Sequence, residues 1–465
     1  MSEKNEMASA LPILVVDSTG RGHAICELFT RTNPGLTVYY GPGCNLIDHP
    51  RIVSVEAIAL NNPQTAIDFL ANNPVEFVFV SNIDALSRGY VDCLRQHGHT
   101  VIGPDREAAQ LESSKDYCKR FCQRNGLPTA HFQSFVDPAK ARAYIAGLPY
   151  PCVVKTDGLC PDGDGAIVCS TSDEAMAAVD HFAALFGPQF NIVVEERLYG
   201  QEISVFALLD GENYLLFPTA ADFKRAMEGN VGKNCDGMGS VAPHPAETGA
   251  VRADICHTLL DPLMLGLQRD RLDFTGFIYI GAMLTVSGLR VIEINARFGD
   301  SEAEAVLPGI RSDFRGLCQA VLAKSILGAS LRTDGQIRCS VALTQGRINS
   351  GALDILPGWP FGEFSAGQNV HGIAAIDPDV ADVFYANIRR GGDGLPASSG
   401  GRVMHVVGRG TSLAQAIGRA YQEVGKIHFD GLRFRADIGA NLLPAPADSA
   451  CITDFTEMVD TAAQG

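Results

Sequence analysis

Short apolar runs alternate with amphipathic stretches along the first part of the chain. The runs fall at Leu11–Asp17, Leu36–Tyr40, Arg51–Val55, Glu76–Val80 and Thr100–Ile102. Their brevity and spacing predict strands. Between them, apolar positions at helical spacing predict helices from about Ala24 to Thr32, near Pro63–Leu70 and near Ala85–Gln96. Strands alternating with helices predict a parallel α/β sheet, with ligands at the carboxyl ends of its strands. This first region, residues 1–103, ends at Gly103-Pro104.

Beyond it, Pro104 to Asn125 is rich in Glu, Lys and Arg and predicts one long helix. A smaller lobe follows at about 127–194. It carries predicted strands Cys152–Lys155 and Ala166–Cys169, a glycine-bearing loop from Asp157 to Gly165, and a helix Ser172–Leu185. Val193–Leu198 reads as the hinge strand leaving that lobe. Glu202–Leu209 and Tyr214–Pro218 predict a hairpin over Asp210-Gly-Glu-Asn213, followed by a polar loop from Ala221 to Gly239. A helix over 247–269, strands over 275–285 and 289–295 and a helix over 312–327 complete a second region, residues 104–330. A third region, 331–441, mixes helix and strand: strands near Cys339–Leu343 and Val403–Val407, and a helix near Leu413–Val424. The tail, 442–465, is rich in Ala, Pro and Asp, the composition of a poorly ordered segment.

One stretch carries candidate chemistry: Val291-Ile-Glu-Ile-Asn-Ala-Arg-Phe-Gly-Asp-Ser-Glu302. On a strand, Glu293 and Asn295 point to the same face, and Arg297 continues the parity. A carboxylate and an amide oxygen together suit Mg²⁺, a hard ion that shares its shell with nucleotide phosphates. The Arg297 fork can grip a carboxylate or phosphate with two bonds. An ordinary buried strand with polar residues at its end is the competing reading.

Charge and cysteines narrow the picture. A formal charge of -16, from 37 basic and 53 acidic residues, argues against a nucleic-acid surface. The 13 cysteines include no Cys-x-x-Cys pair, which fits reduced thiols in a cytoplasmic protein better than a zinc site. The N-terminus lacks the charged and apolar parts of a signal peptide, and no apolar run reaches membrane-spanning length. Gly-x-Gly-x-x-Gly is absent from the first region, which excludes a dinucleotide-dependent dehydrogenase.

Four separated stretches carry a resemblance. They are Gly103–Lys115; Val153-Val-Lys-Thr-Asp-Gly-Leu159; Asp222-Phe-Lys-Arg225 with Asn234–Gly239; and Thr275–Gly281 followed by Glu293–Glu302. In this order the chain resembles the glycinamide ribonucleotide synthetase (phosphoribosylamine–glycine ligase) family of the ATP-grasp superfamily, from about Ile13 to Gly439. The resemblance implies an N-terminal parallel α/β domain, a two-lobe ATP-grasp region and a small C-terminal α+β domain. It implies a cytoplasmic carboxylate–amine ligase that uses ATP and Mg²⁺, with Mn²⁺ as a substitute. An acyl phosphate would activate the acid, and an amine would displace phosphate. Its partners would be a small amino acid and an amine, with no nucleic acid or membrane, in a monomer or homodimer.

The resemblance also implies roles for single residues. Lys115 and Lys155, with Gly163 and Gly165 of the lid loop, would face the nucleotide phosphates. Glu195, Glu196 and Leu198 would lie on the hinge beside adenine, and Glu202 by the ribose. Glu293 and Asn295 would hold the metal. Asp222, Lys224, Arg225 and Arg297 would surround the γ-phosphate and the acyl acceptor, with Arg297 gripping the amino-acid carboxylate. Ser18, Gly20, Arg21, His23 and Asp300 would line the amine side.

Three departures from the family pattern stand out. The lid loop carries Asp162 and Asp164 where a lysine is usual between the last two glycines. The first turn reads Asp17-Ser-Thr-Gly-Arg-Gly-His, with Asp17 in place of a glycine and Gly22 in place of a glutamate. The segment Ser81–Leu86 also departs, with Ile83 where the family has glutamate. Asp17 is therefore expected to repel a substrate phosphate and to weaken use of phosphoribosylamine. Two further activities stay open on these residues: a paralogous ligase using a different amine, and a nucleotide-binding pseudoenzyme.

Overall fold

A computed structural model of the chain describes residues 11–160, 165–187, 190–235, 237–347 and 359–444. Its first sheet is five-stranded and parallel. The order is Ile52–Ser54, Val38–Pro42, Ile13–Asp17, Val78–Val80, Val101–Ile102. Ile13–Asp17 lies at the point where strand order reverses, pairing Leu14 with both Tyr39 and Val78. Ligands bind at such reversals, off the carboxyl ends of the strands. The turns after Asp17 and after Val80 therefore flank one crevice. Ile13–Asp17 is buried throughout because helices cover both faces of the sheet.

Several predicted helices are broken, and each break has a local cause. The first helix starts at Gly20, not Ala24, so the glycine-rich turn is its first turn. The predicted 85–96 helix is Ile83–Ser87 and Tyr90–Gln96, separated by Gly89 at φ +78. The predicted 104–125 helix splits at Ser114, whose extended backbone lets its hydroxyl cap Lys115–Asn125 through Tyr117 N. That break puts Lys115 at the very start of the second helix. The predicted 247–269 helix is Gly249–Ile255 and Asp261–Asp270 with a π turn, Cys256–Leu260, between them. Pro262 lacks the N–H that a continuous α-ladder needs there.

The lid lobe is a four-stranded sheet in the order Phe132–Phe135, Ile192–Glu196, Cys152–Thr156, Ala166–Cys169. Helices Pro138–Ala146 and Ser172–Phe186 pack over it through Ala141, Ile145, Ala175 and Phe182. Gln201–Leu209, Gly276–Thr285 and Gly288–Asn295 form the antiparallel centre of the molecule, with Tyr214–Leu216 at the edge.

The predicted polar loop 221–239 is mostly strand. Ala221–Asp222 and Gly239–Ala242 join a six-stranded sheet with Ile337–Gln345, Arg402–Gly410, Ala381–Tyr385 and Leu432–Arg433. The third region thus shares its sheet with residues from the second. Between the layers, Phe29, Phe79, Phe277, Phe298 and Phe314 form one aromatic core. Phe298 stacks on Phe206 at 4.1 Å, which anchors the turn after Asn295. No helix among the described residues is long and apolar enough to cross a membrane.

Candidate active site

The central sheet builds one polar face. Gly281 stands opposite both Ser204 and Glu293, and Tyr279 opposite both Phe206 and Asn295. Directly opposed residues share a face, so Glu293 and Asn295 lie on the same side as Ser204 and, two residues earlier, Glu202. The register slips by one residue at Ile292, because Ala282 already faces Val291. A bulge re-aims the side chains beyond it, and Glu293 and Asn295 both lie on that far side.

Lys224 reaches over this face. Its Nζ is 3.1 Å from Glu293 Oε1 and makes a close ion pair with Glu202. Burial pulls the ammonium down, but Glu202 and Glu293 outweigh it and hold Lys224 well above its usual range. Burial likewise raises the Glu293 carboxyl, yet Lys224 and Lys155 prevail and hold it at about 2. Asp222 adds a buried oxygen, Oδ1, with no hydrogen-bond partner among the described residues. A lysine ammonium seated among these oxygens marks a place that selects positive charge, and an all-oxygen donor set suits Mg²⁺.

Arg297 and Arg225 flank the face. Arg297 Nη2 is 2.8 Å from Glu112, and Nη1 donates to Phe298 O at 3.0 Å. Glu112 also accepts from Ala296 N at 2.7 Å, so it ties the helix before Ser114 to the turn after Asn295. Arg225 donates to Gly232 O at 2.7 Å across the hairpin Arg225–Met227/Val231–Asn234. Glu302 accepts from Ser204 Oγ at 3.2 Å, and burial pushes its carboxyl up to about 7. Burial first, then the Glu302 charge, pushes Asp222 up as well.

The lid side carries a buried triad. Glu195 forms ion pairs with Lys119 and Lys155, each at 2.9 Å, with all three side chains nearly sealed from solvent. Burial lowers Lys155, and the neighbouring Lys119 lowers it further against the pull of Glu195. The Glu195 side chain is therefore spent on two lysines, and only its backbone remains for a hinge ligand. Glu196 N donates to His131 O within the sheet, and Leu198 is half-buried just past the strand end. Lys115 donates to Gly158 O at 2.7 Å beside Gly165. Asp162, Gly163 and Asp164 lie outside the described residues.

The first turn differs most from expectation. Asp17 is fully buried, and its carboxylate turns inward. It accepts from Ser18 N, Thr19 N, Thr19 Oγ1, Arg21 Nε and Ser81 Oγ, at 2.7–3.0 Å. The carboxylate expected to face a phosphate is instead buried and paired with Arg21 inside the fold. Arg21 also donates to Phe298 O at 3.3 Å, so both the first turn and Arg297 hang on one carbonyl. His23 leaves the crevice: it stacks on Tyr385, accepts from Tyr385 N and faces Glu27. Asp300 accepts from Arg21 N and Arg402 Nη1, so both its oxygens orient backbone and arginine. Ser18 is half-buried at the rim, and Gly20 is buried against Glu304.

Gly22 is a packing requirement rather than a missing side chain. A Cβ there would lie 2.5 Å from the Tyr40 hydroxyl and 2.6 Å from Asp17 Cβ. Overpacking of about 1–3 kcal/mol exceeds the helix-propensity gain of Ala over Gly, about 1 kcal/mol. Gly22→Ala is thus expected to lower the denaturation midpoint; an unchanged or higher midpoint contradicts this packing account.

The structure gathers Glu202, Asp222, Lys224, Glu293, Asn295 and Arg297 at one place, with Lys155 behind Glu293. It places Ser18, Gly20, Arg21 and Asp300 at the adjoining crevice and turns His23 away from it. Sequence reasoning missed Lys119, Glu112 and the raised Glu302. A lysine set between Cys118 and Phe121-Cys122 on an otherwise polar helix was the available sign for Lys119.

Family models of phosphoribosylglycinamide synthetase match in three parts: the N domain at residues 11–112, the ATP-grasp (A) domain at 113–303 and the C domain at 357–441. The phosphoribosylamine–glycine ligase of Chlorobaculum tepidum is 36% identical over 446 residues, covering 93% of this chain and all of that protein. Its counterpart in Halalkalibacterium halodurans is 32% identical, covering 94% and 99%. The solved phosphoribosylamine–glycine ligase of Thermotoga maritima superposes with a TM-score of 0.75 at 26% identity, covering 92% of this chain and all of that one. A biotin carboxylase domain from Hydrogenobacter thermophilus, solved with MgADP, shares the fold at a TM-score of 0.66 and 14% identity. With all three family models matched in order and relatives aligned almost end to end, the chain belongs to the phosphoribosylglycinamide synthetase family, an ATP-grasp carbon–nitrogen ligase family.

Proposed function

We propose that the chain joins glycine to 5-phosphoribosylamine at the expense of ATP, the amide-forming step of purine synthesis that its relatives are named for. One observation carries this reading most directly: Glu202, Lys224, Glu293 and Asn295 converge on one sheet face beside Lys155 and Arg297. Amide formation from a carboxylate needs activation first. An oxygen of the glycine carboxylate attacks the γ-phosphorus of ATP, giving an acyl phosphate and ADP. The amine nitrogen then attacks the acyl carbon, phosphate leaves, and the nitrogen loses a proton. Positioning and charge neutralisation supply most of the rate.

Residue roles follow from placement. Lys155 and Lys115 stand on the phosphate side of the lid. Glu293 and Asn295 would hold Mg²⁺, which supplies charge neutralisation between the phosphates. Lys224, held protonated by Glu202, faces the same oxygens and would lie beside the transferring phosphoryl group. Arg297, fixed by Glu112, presents a guanidinium edge where the amino-acid carboxylate would lie. Glu302, poised near neutrality, is the carboxyl placed to take the proton from the amine. The inward turn of Asp17 supports the phosphorylated amine over a different one, since it removes the charge that argued against it.

The test is ADP release by the full chain with ATP, Mg²⁺, glycine and freshly generated phosphoribosylamine. Release that requires both glycine and the amine, with glycinamide ribonucleotide detected by mass, is expected. ADP formation that proceeds with another amine and not with phosphoribosylamine overturns the substrate assignment.

A further inference from the structure

A second cluster lies where the turn after Phe298 meets the C-terminal sheet, and no step above uses it. Asp300, Glu304 and His405 each bring one ligand atom to within 4.8 Å of the others. They come from three different elements: the turn itself, helix Glu302–Val306 and strand Arg402–Gly410. Glu304 and His405 are wholly sealed from solvent, at 0% exposure each. Among the described residues, neither oxygen of Glu304 nor His405 Nε2 has a hydrogen-bond partner, and Nε2 stands 3.8 Å from Glu304 Oε1. A buried carboxylate and a buried imidazole nitrogen left open toward each other are costly unless something occupies the space between them.

We propose that Asp300, Glu304 and His405 bind a divalent first-row transition ion of the zinc class, separate from the Mg²⁺ face at Glu293. The donor set decides the class: one imidazole nitrogen with two carboxylates suits Zn²⁺ or its neighbours better than Mg²⁺, which prefers oxygen alone. The surroundings are those of metal ligands. Asp300 keeps lone pairs free while Arg402 and Arg21 N orient it, at 3.0 and 3.1 Å. His405 Nδ1 meets Ser340 Oγ at 3.3 Å, which fixes the ring and leaves Nε2 facing the cluster. Gly20 supplies the room, since a Cβ there would collide with Glu304 Oε1. An ion at this place would pin the first turn, the ATP-grasp turn and the C-terminal sheet together at the crevice. The competing occupant, without an ion, would be a proton shared by Asp300 and Glu304.

The probe is Zn²⁺ itself. The full chain is stripped with chelator, supplied with excess Mg²⁺ to fill the other site, and titrated with Zn²⁺ against a competing chromophoric chelator. One tightly held Zn²⁺ per chain is expected. Glu304→Gln and His405→Asn should each weaken it by roughly tenfold or more, while Glu293→Gln leaves it unchanged. Co²⁺ provides a second readout on the parent protein, a visible absorption band that Zn²⁺ abolishes. Equal Zn²⁺ affinity in folded Glu304→Gln and His405→Asn overturns the proposal. So does a parent chain that binds no Zn²⁺ in the titration and gives no Co²⁺ band, which leaves the shared proton as the occupant.

Discussion

Glu293→Gln is expected to lower ATP-dependent turnover by about 100- to 1,000-fold while moving the thermal midpoint by less than about 2 °C. The two halves of this result come from one arrangement. Glu293 is an anion across the working range, because Lys224 and Lys155 hold its carboxyl at about 2. Gln has the same shape without the charge, so a site that would hold Mg²⁺ and triphosphate loses a full unit of neutralisation. Folding is spared because Lys224 keeps its ion pair with Glu202 when Glu293 is gone. Asn295→Ala should follow the same direction, with a smaller loss, since an amide oxygen is a weaker ligand than a carboxylate. The measurement is steady-state ADP release against Mg²⁺ concentration, beside thermal unfolding. Turnover at the parental rate removes Glu293 from the metal face, and a collapse of the thermal midpoint makes the residue structural instead.

How much of this was legible in the chain depends on what each residue meets. Ile13–Asp17 and Val78–Val80 read as strands because a strand buried on both faces must be continuously apolar. That Glu293 and Asn295 share one face was legible because strand parity survives the bulge: the extra residue, Ile292, precedes both. Helix continuity did not read well, since Ser114 and Pro262 act through a cap and a missing N–H that periodicity does not register. Charge pairing was the least legible. Lys119, Glu112 and Glu195 sit in stretches whose composition suggests solvated surface, and only tertiary packing turns them inward on one another. Asp17 is the sharpest instance. Its type and position implied repulsion of a phosphate, but a carboxylate's effect depends on its partner, and Arg21 lies one helical turn away. The first turn therefore reads as an internally neutralised scaffold rather than a retuned pocket.

The same dependence on partners makes Glu195 the residue whose loss should harm folding most. Glu195→Gln is expected to cost about 3–5 kcal/mol, lowering the thermal midpoint by about 10 °C. The carboxylate sits between two ammonium groups at 2.9 Å each, in a triad that carries one net positive charge. Removing it leaves Lys119 and Lys155 buried against each other with nothing between them. Lys119→Met makes the contrasting case. It leaves Lys155 and Glu195 as a neutral pair and removes the Lys119 bonds to Thr129 Oγ1 and Val291 O, which still bond each other, so it should cost less than Glu195→Gln. The acid limb gives an independent check. Burial opposes the Glu195 charge, but Lys119 and Lys155 win and hold its folded pKa below the ordinary 4.5. Its stabilisation is therefore fully present above about pH 4.5 and is lost as pH falls through the folded pKa. Glu195→Gln should flatten that part of the stability profile, and Lys119→Met should keep most of it. Chemical denaturation of the three proteins between pH 3 and pH 7 decides the matter. Equal losses from the two substitutions would mean that the triad acts by packing alone.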